Sequence, residues 1–90
     1  MEIEKYLIDK GIYPNLKGFD YIVTSVKLIR QDRSYKFNVT KKLYPELGKM
    51  FNDSRQGVER VIRHAIEKAK LNYTNSEFIA LAELETRGEK

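Results

Sequence analysis

With 90 residues, of which 41% are hydrophobic, the chain is long enough for one modest core and too short for two, which predicts a single domain over residues 1–90. It has no cysteine and one histidine, His64, which excludes disulfide frameworks, thiol nucleophiles and cysteine-based zinc sites; no metal or other cofactor is expected. The formal net charge of +4 is uneven, because residues 38–70 hold eight basic side chains (Lys41, Lys42, Lys49, Arg55, Arg60, Arg63, Lys68, Lys70) against four acidic ones (Glu46, Asp53, Glu59, Glu67), while the rest holds nine of each sign.

Such a segment suits either a polyphosphate surface or a solvated helical face. The opening Met1-Glu2-Ile3-Glu4-Lys5 has no apolar run, and no stretch reaches the ~20 apolar residues of a membrane span. A cytoplasmic protein with no membrane partner is expected.

Helical periodicity dominates, which predicts an all-α fold of about five helices in a compact bundle. Ile3, Leu7 and Ile8 mark a first helix ended by Gly11, and Ile12 to Gly18 reads as a connector closed by turn residues. A second helix is predicted from Asp20 to near Gln31, its apolar face made by Tyr21, Ile22, Val26 and Ile29. After the polar break Gln31-Asp32-Arg33-Ser34, the residues Phe37, Val39, Leu43, Tyr44, Leu47, Met50 and Phe51 line the next helical stretch. Pro45 interrupts it, either starting a short helix or kinking a longer one. Asn52-Asp53-Ser54 punctuates sharply: asparagine accepts the left-handed conformation that ends one helix, and Asp53 or Ser54 caps the next. That next helix is predicted from about Ser54 to Lys70, with Val58, Val61, Ile62, Ala65, Ile66 and Ala69 as its apolar stripe. Thr74 and Glu77 are spaced as a capping box for a last helix with Phe78, Ile79, Leu81, Ala82 and Leu84 as its stripe. Residues from Thr86 to Lys90 are expected to fray.

Residues 45–70 carry the spacing of a helix-turn-helix. Gly48 is small where the second helix crosses closely, Phe51 fills the angle, Asn52 makes the turn, and Val58 and Ile62 face the core. Outward there remain Arg55, Gln56, Glu59, Arg60, Arg63, Glu67 and Lys70, a polar and mostly basic face on a helix narrow enough for the major groove. Double-stranded DNA is the partner this pattern implies.

The runs Val58-Glu59-Arg60-Val61-Ile62-Arg63-His64-Ala65-Ile66-Glu67 and Thr74-Asn75-Ser76-Glu77-Phe78-Ile79-Ala80 resemble signature stretches of the C-terminal effector domain of the stage zero sporulation protein A family. Leu43-Tyr44-Pro45-Glu46-Leu47 and Lys17-Gly18 resemble it too, in the same order. The resemblance implies an all-helical DNA-binding domain that recognises short boxes, often as tandem copies, and it puts Glu59, Arg60, Arg63 and His64 at recognition-helix positions. Three departures stand out. Gly57 occupies the place of a family arginine, so a base-reading side chain is missing. Only Leu71-Asn72-Tyr73 bridges to the Thr74 stretch, where the family has a longer insertion associated with sigma-factor contact, so that contact is not expected. The 90 residues hold no phosphoacceptor receiver, so phosphorylation control within them is not expected, whether the domain stands alone or is cut from a longer protein.

Each singled-out residue also has a plainer reading. Lys41 and Lys42 meet phosphates or are merely solvated. His64 touches DNA or is half-buried with one backbone partner. Glu59 accepts from a cytosine amino group, holds an arginine in place, or pairs with Arg63 four residues on. The six scattered tyrosines read as core-edge residues, and Gly57 as a position with no packing reason for glycine. With no glycine-rich phosphate loop, paired-carboxylate pocket or nucleophile-base set, an enzyme is not expected. The rival is a protein-interaction module that modulates a related full-length regulator without reading DNA.

Overall fold

A computed structural model describes residues 2–88. Among these the elements are all helical: α1 (Ile3–Asp9), α2 (Lys17–Gln31), α3 (Ser34–Phe37), a π-helical turn (Val39–Leu43), α4 (Tyr44–Phe51), α5 (Arg55–Lys68) and α6 (Asn75–Thr86). No described helix is long and apolar enough to cross a membrane.

α2 is the central strut, packing on α1, α5 and α6, and one buried cluster joins all the long helices. Each contributes an apolar stripe with the spacing that puts residues on one helical face. From α1 come Ile3, Tyr6 and Leu7; from α2 come Ile22, Val26 and Ile29; from α5 come Val58, Ile62, Ala65 and Ile66. α1 ends on Gly11, whose φ of 96° lets the Ile12 N–H return to the Leu7 carbonyl at 2.9 Å.

The structure corrects several expectations. α2 begins at Lys17, not Asp20, because Gly18 is a helix-crossing residue and not a turn residue: a Cβ there would lie 2.5 Å from the Ala65 Cβ and 3.0 Å from the Val61 carbonyl oxygen. Ile8, Phe37, Met50 and Leu84 are exposed, Phe37 by 74%. For Phe37 the reason is phase. The polar break ends α2, α3 lasts four residues, and the π-helical turn widens the next step, so no single helical period runs from Phe37 through Leu43. Val61 is half-buried at the flank of the α5 stripe. Pro45 lies in the first turn of α4, which continues directly from the π-helical turn through Leu43 and Tyr44, both in the right-handed helical conformation.

On α6 the core-facing set is Phe78, Ile79, Ala82, Glu83 and Thr86. Glu83 takes the inward place expected of Leu84 because it arrives with partners. Arg30 donates to its carboxylate at 3.3 Å and to its backbone carbonyl at 3.0 Å, and Arg87 donates at 2.6 and 3.0 Å. A buried carboxylate so bonded no longer bears the full cost of leaving water. The Arg87 guanidinium, with Arg30, holds the Glu83 carboxyl below its usual range against the opposing effect of burial.

Candidate nucleic-acid interface

The α4–α5 junction turns within three residues. Asn52 takes the left-handed conformation with φ of 55°, and the Asp53 N–H reaches back to the Gly48 carbonyl at 2.8 Å. Gly48 permits this fold-back: a Cβ on it would lie 2.4 Å from the Asp53 carbonyl oxygen, so the close approach is to the turn and not to a crossing helix. Ser54, not Asp53, is the N-cap, its hydroxyl accepting the Gly57 N–H at 2.9 Å. Phe51 fills the angle as expected, stacked on Tyr21 of α2 with ring centroids 4.6 Å apart.

Asp53 does something else. One carboxylate oxygen accepts the Tyr21 hydroxyl at 2.7 Å and the other accepts the Ser54 N–H at 2.8 Å. Burial, and the hydrogen bond to Asp53, push the Tyr21 hydroxyl up to about 12. The carboxylate sits where a side chain at residue 57 would begin, 2.1 Å from an ideal Gly57 Cβ. Glycine at 57 therefore has a steric reason, contrary to the expectation of none.

α5 spans Arg55–Lys68, slightly shorter than expected, with Lys70 beyond it in the left-handed conformation at φ of 60°. On the face away from the core, Arg55, Gln56, Arg60, Arg63, His64 and Glu67 are exposed. His64 is thus not the half-buried group of the plainer reading. Glu59 is half-buried and pairs with Arg63 at 3.5 Å, the intrahelical pair its spacing allowed. Grooves flank this face. One, toward the π-helical turn, is lined by Thr40, Tyr44, Arg55, Glu59, Arg60 and Arg63; the other, toward the start of α2, by Leu16, Lys17, Gly18, Arg60, Val61 and His64.

Lys41 and Lys42 separate. Lys41 is exposed, whereas Lys42 is engaged: its ammonium donates to Asp32 at 2.9 Å and to the Ser34 hydroxyl and lies 4.8 Å from the centre of the Tyr35 ring. That ammonium, with the Ser34 hydroxyl and N–H, holds the Asp32 carboxyl down to about 2.

Sequence reasoning missed the residues that set α5 in place. Asn75 is buried at the start of α6, and its amide donates to the Tyr44 hydroxyl and the Glu59 backbone carbonyl, both at 3.0 Å, pinning the middle of α5. Neither this nor the Tyr21–Asp53 bond had a local signal, since the partners stand 31 and 32 positions apart. The Glu83–Arg87 pair did have one, its spacing of four. Among the described residues no group of three or more histidine or acidic side chains could hold a metal ion.

A helix held at its start and middle and basic on its outer face agrees with the comparison across families. The family model described as "Sporulation initiation factor Spo0A C terminal" matches residues 3–85, from the first residue of α1 into the last turn of α6. The chain therefore belongs to the family of C-terminal domains of sporulation initiation factor Spo0A, DNA-binding effector domains of a sporulation regulator.

Proposed function

We propose that the domain binds duplex DNA sequence-specifically, with α5 in the major groove as the second helix of a helix-turn-helix over residues 45–70. Arg55, Gln56, Glu59, Arg60, Arg63 and His64 face base edges and adjacent phosphates, and Lys41 meets the backbone from the π-helical turn. Lys42 contributes less, its charge being engaged by Asp32. One observation carries the reading: Arg55 and Arg60 project from a groove-sized helix with no carboxylate partner within 4.0 Å among the described residues. Bidentate guanidinium donors of this kind are the commonest readers of guanine. Glu59 serves by orienting Arg63.

A chromosomal target places the domain in the cytoplasm, with tandem copies on adjacent boxes. The connection from α5 to α6 is confined to residues 69–74, so contact with a sigma factor through a longer insertion is not part of the proposal. Selection from a random duplex library tests it. The selected duplex is expected to bind at least tenfold more tightly than a scrambled one, and its log affinity to fall linearly with log salt. Equal binding of both duplexes overturns sequence-specific reading.

A second reading, a protein-interaction module, draws on the groove where Tyr73, Ala80, Leu81 and Leu84 lie beside Lys36, with Tyr73 and Leu84 largely exposed. It requires that no duplex bind with a salt dependence, so the same titration separates the two.

A further inference from the structure

The charge of Asp53 is out of place on a surface meant for phosphate. It lies two residues before Arg55, at the start of the helix proposed to enter the groove, where a carboxylate weakens attraction to DNA. It is nevertheless bonded on both oxygens, by Tyr21 from α2 and by the Ser54 N–H at the α5 cap. Tyr21 is only 4% exposed and its ring is stacked on Phe51 at the end of α4. The carboxylate thus ties α2 to the cap of α5, and the Tyr21 ring carries the link on to α4, at the point where the chain changes direction.

Gly57 completes the arrangement. An ideal Cβ there would lie 2.1 Å from one Asp53 oxygen, 2.8 Å from Cγ and 3.1 Å from the other oxygen, so any side chain must shift the carboxylate and, with it, the geometry of its bonds to Tyr21 and the Ser54 N–H. We propose that Asp53 is a positioning residue for α5: seated in the space Gly57 leaves and held by Tyr21, it fixes the angle at which the first turn, carrying Arg55 and Gln56, is presented. The DNA half of this statement rests on the reading of α5 as the DNA-contacting helix; the mechanical half does not.

The two halves are tested separately. At an unobstructed position in a helix, glycine to alanine raises Tm by about 3 °C or more in a domain of this size. Here Gly57→Ala is expected to lower Tm in the native background and to raise it in an Asp53→Ala background, where the obstruction is gone. The same sign of change in both backgrounds overturns the lock.

For the DNA half, Tyr21→Phe keeps the ring on Phe51 and removes only the hydroxyl. At a temperature where circular dichroism shows it folded, it is compared with the native protein on the duplex selected by that protein and on its scrambled counterpart. The ratio of the two affinities is expected to fall about fivefold or more while binding to the scrambled duplex is kept, and adding Asp53→Ala should lower the ratio no further. An unchanged ratio, or equal weakening on both duplexes, overturns positioning. If the native protein itself does not distinguish the duplexes, the proposed function fails, and the sign of the Gly57→Ala effect still decides the lock.

Discussion

Arginines on two sides of this bundle are put to opposite uses. Arg30 and Arg87 converge on Glu83, a carboxylate only 2% exposed, and Arg30 also donates to the Thr86 hydroxyl. Arg55 and Arg60, on α5, find no carboxylate among the described residues and project into solvent beside an open groove. Of the first pair Arg30 holds α2 to α6 and Arg87 closes the end of α6 on the same carboxylate, while the second pair leaves its hydrogen-bonding capacity unspent. A count of basic residues treats the two alike. What separates them is whether the fold supplies an anion or leaves one to be supplied, and for Arg30 that depends on a contact with a residue 53 positions away.

The largest effect expected from this comparison is on the satisfied side. Glu83→Ala removes the shared partner of two arginines and leaves a void beside α2. Because Arg30 and Arg87 are themselves 36% and 41% exposed and water can take over part of their pairing, the loss is expected at about 1–3 kcal/mol by urea denaturation, below the cost of breaking a fully buried pair. DNA affinity at a temperature where the variant is folded should not change.

The same site sets a pH dependence. The Glu83 carboxyl is held below its ordinary 4.5, so the folded state binds fewer protons there than the unfolded chain. Its contribution is fully present above about pH 4.5 and is lost as the pH falls toward the lowered value. Glu83→Gln should therefore cost stability at pH 7, and the cost should shrink progressively as the pH falls below about 4.5, so that the two urea midpoints converge on acidification. A constant difference between the proteins across that range would place the contribution in packing and not in charge.

The unsatisfied side should respond in the opposite sense. Arg60→Ala is expected to leave stability within about 0.5 kcal/mol and to cost about 1–3 kcal/mol of affinity for the selected duplex, with a smaller loss on a scrambled one. Arg63→Ala should cost less, because Arg63 already spends part of its charge on Glu59, 3.5 Å away. Equal losses for the two would mean that the intrahelical pair opens at no cost when DNA binds.

The helices and the outer face of α5 were legible in the sequence because both depend on local spacing. Val58, Ile62, Ala65 and Ile66 recur at three and four, and the residues between them are necessarily turned outward. The Thr74–Glu77 capping box was legible for the same reason, and both its hydrogen bonds are present. What escaped was whatever depended on a distant partner. Gly18 looks like a turn glycine until α5 is seen against it, and Gly57 looks like a lost side chain until Asp53 fills its place. Leu84 looks like core until Glu83, neutralised by Arg87 and by Arg30 of another helix, takes the inward position.

The smallest expected effect separates two adjacent lysines that are alike in sequence. If the π-helical turn borders phosphate, Lys41→Ala should weaken every duplex equally and reduce the magnitude of the salt slope by about 1. Lys42→Ala should change the slope by less, because the Lys42 ammonium is already compensated by Asp32 at 2.9 Å and sits against the Tyr35 ring. Releasing DNA counterions with Lys42 would first require giving up that carboxylate. The distinction can be abolished at its source. Asp32→Asn removes the compensating charge without removing the lysine, so it should steepen the salt slope of the otherwise native protein, and Lys42→Ala made in that background should reverse the gain. Should Lys41→Ala and Lys42→Ala give equal slopes, and Asp32→Asn none, then the pairing with Asp32 does not survive the approach of DNA, and the contrast between engaged and available charge holds only for the buried partner Glu83.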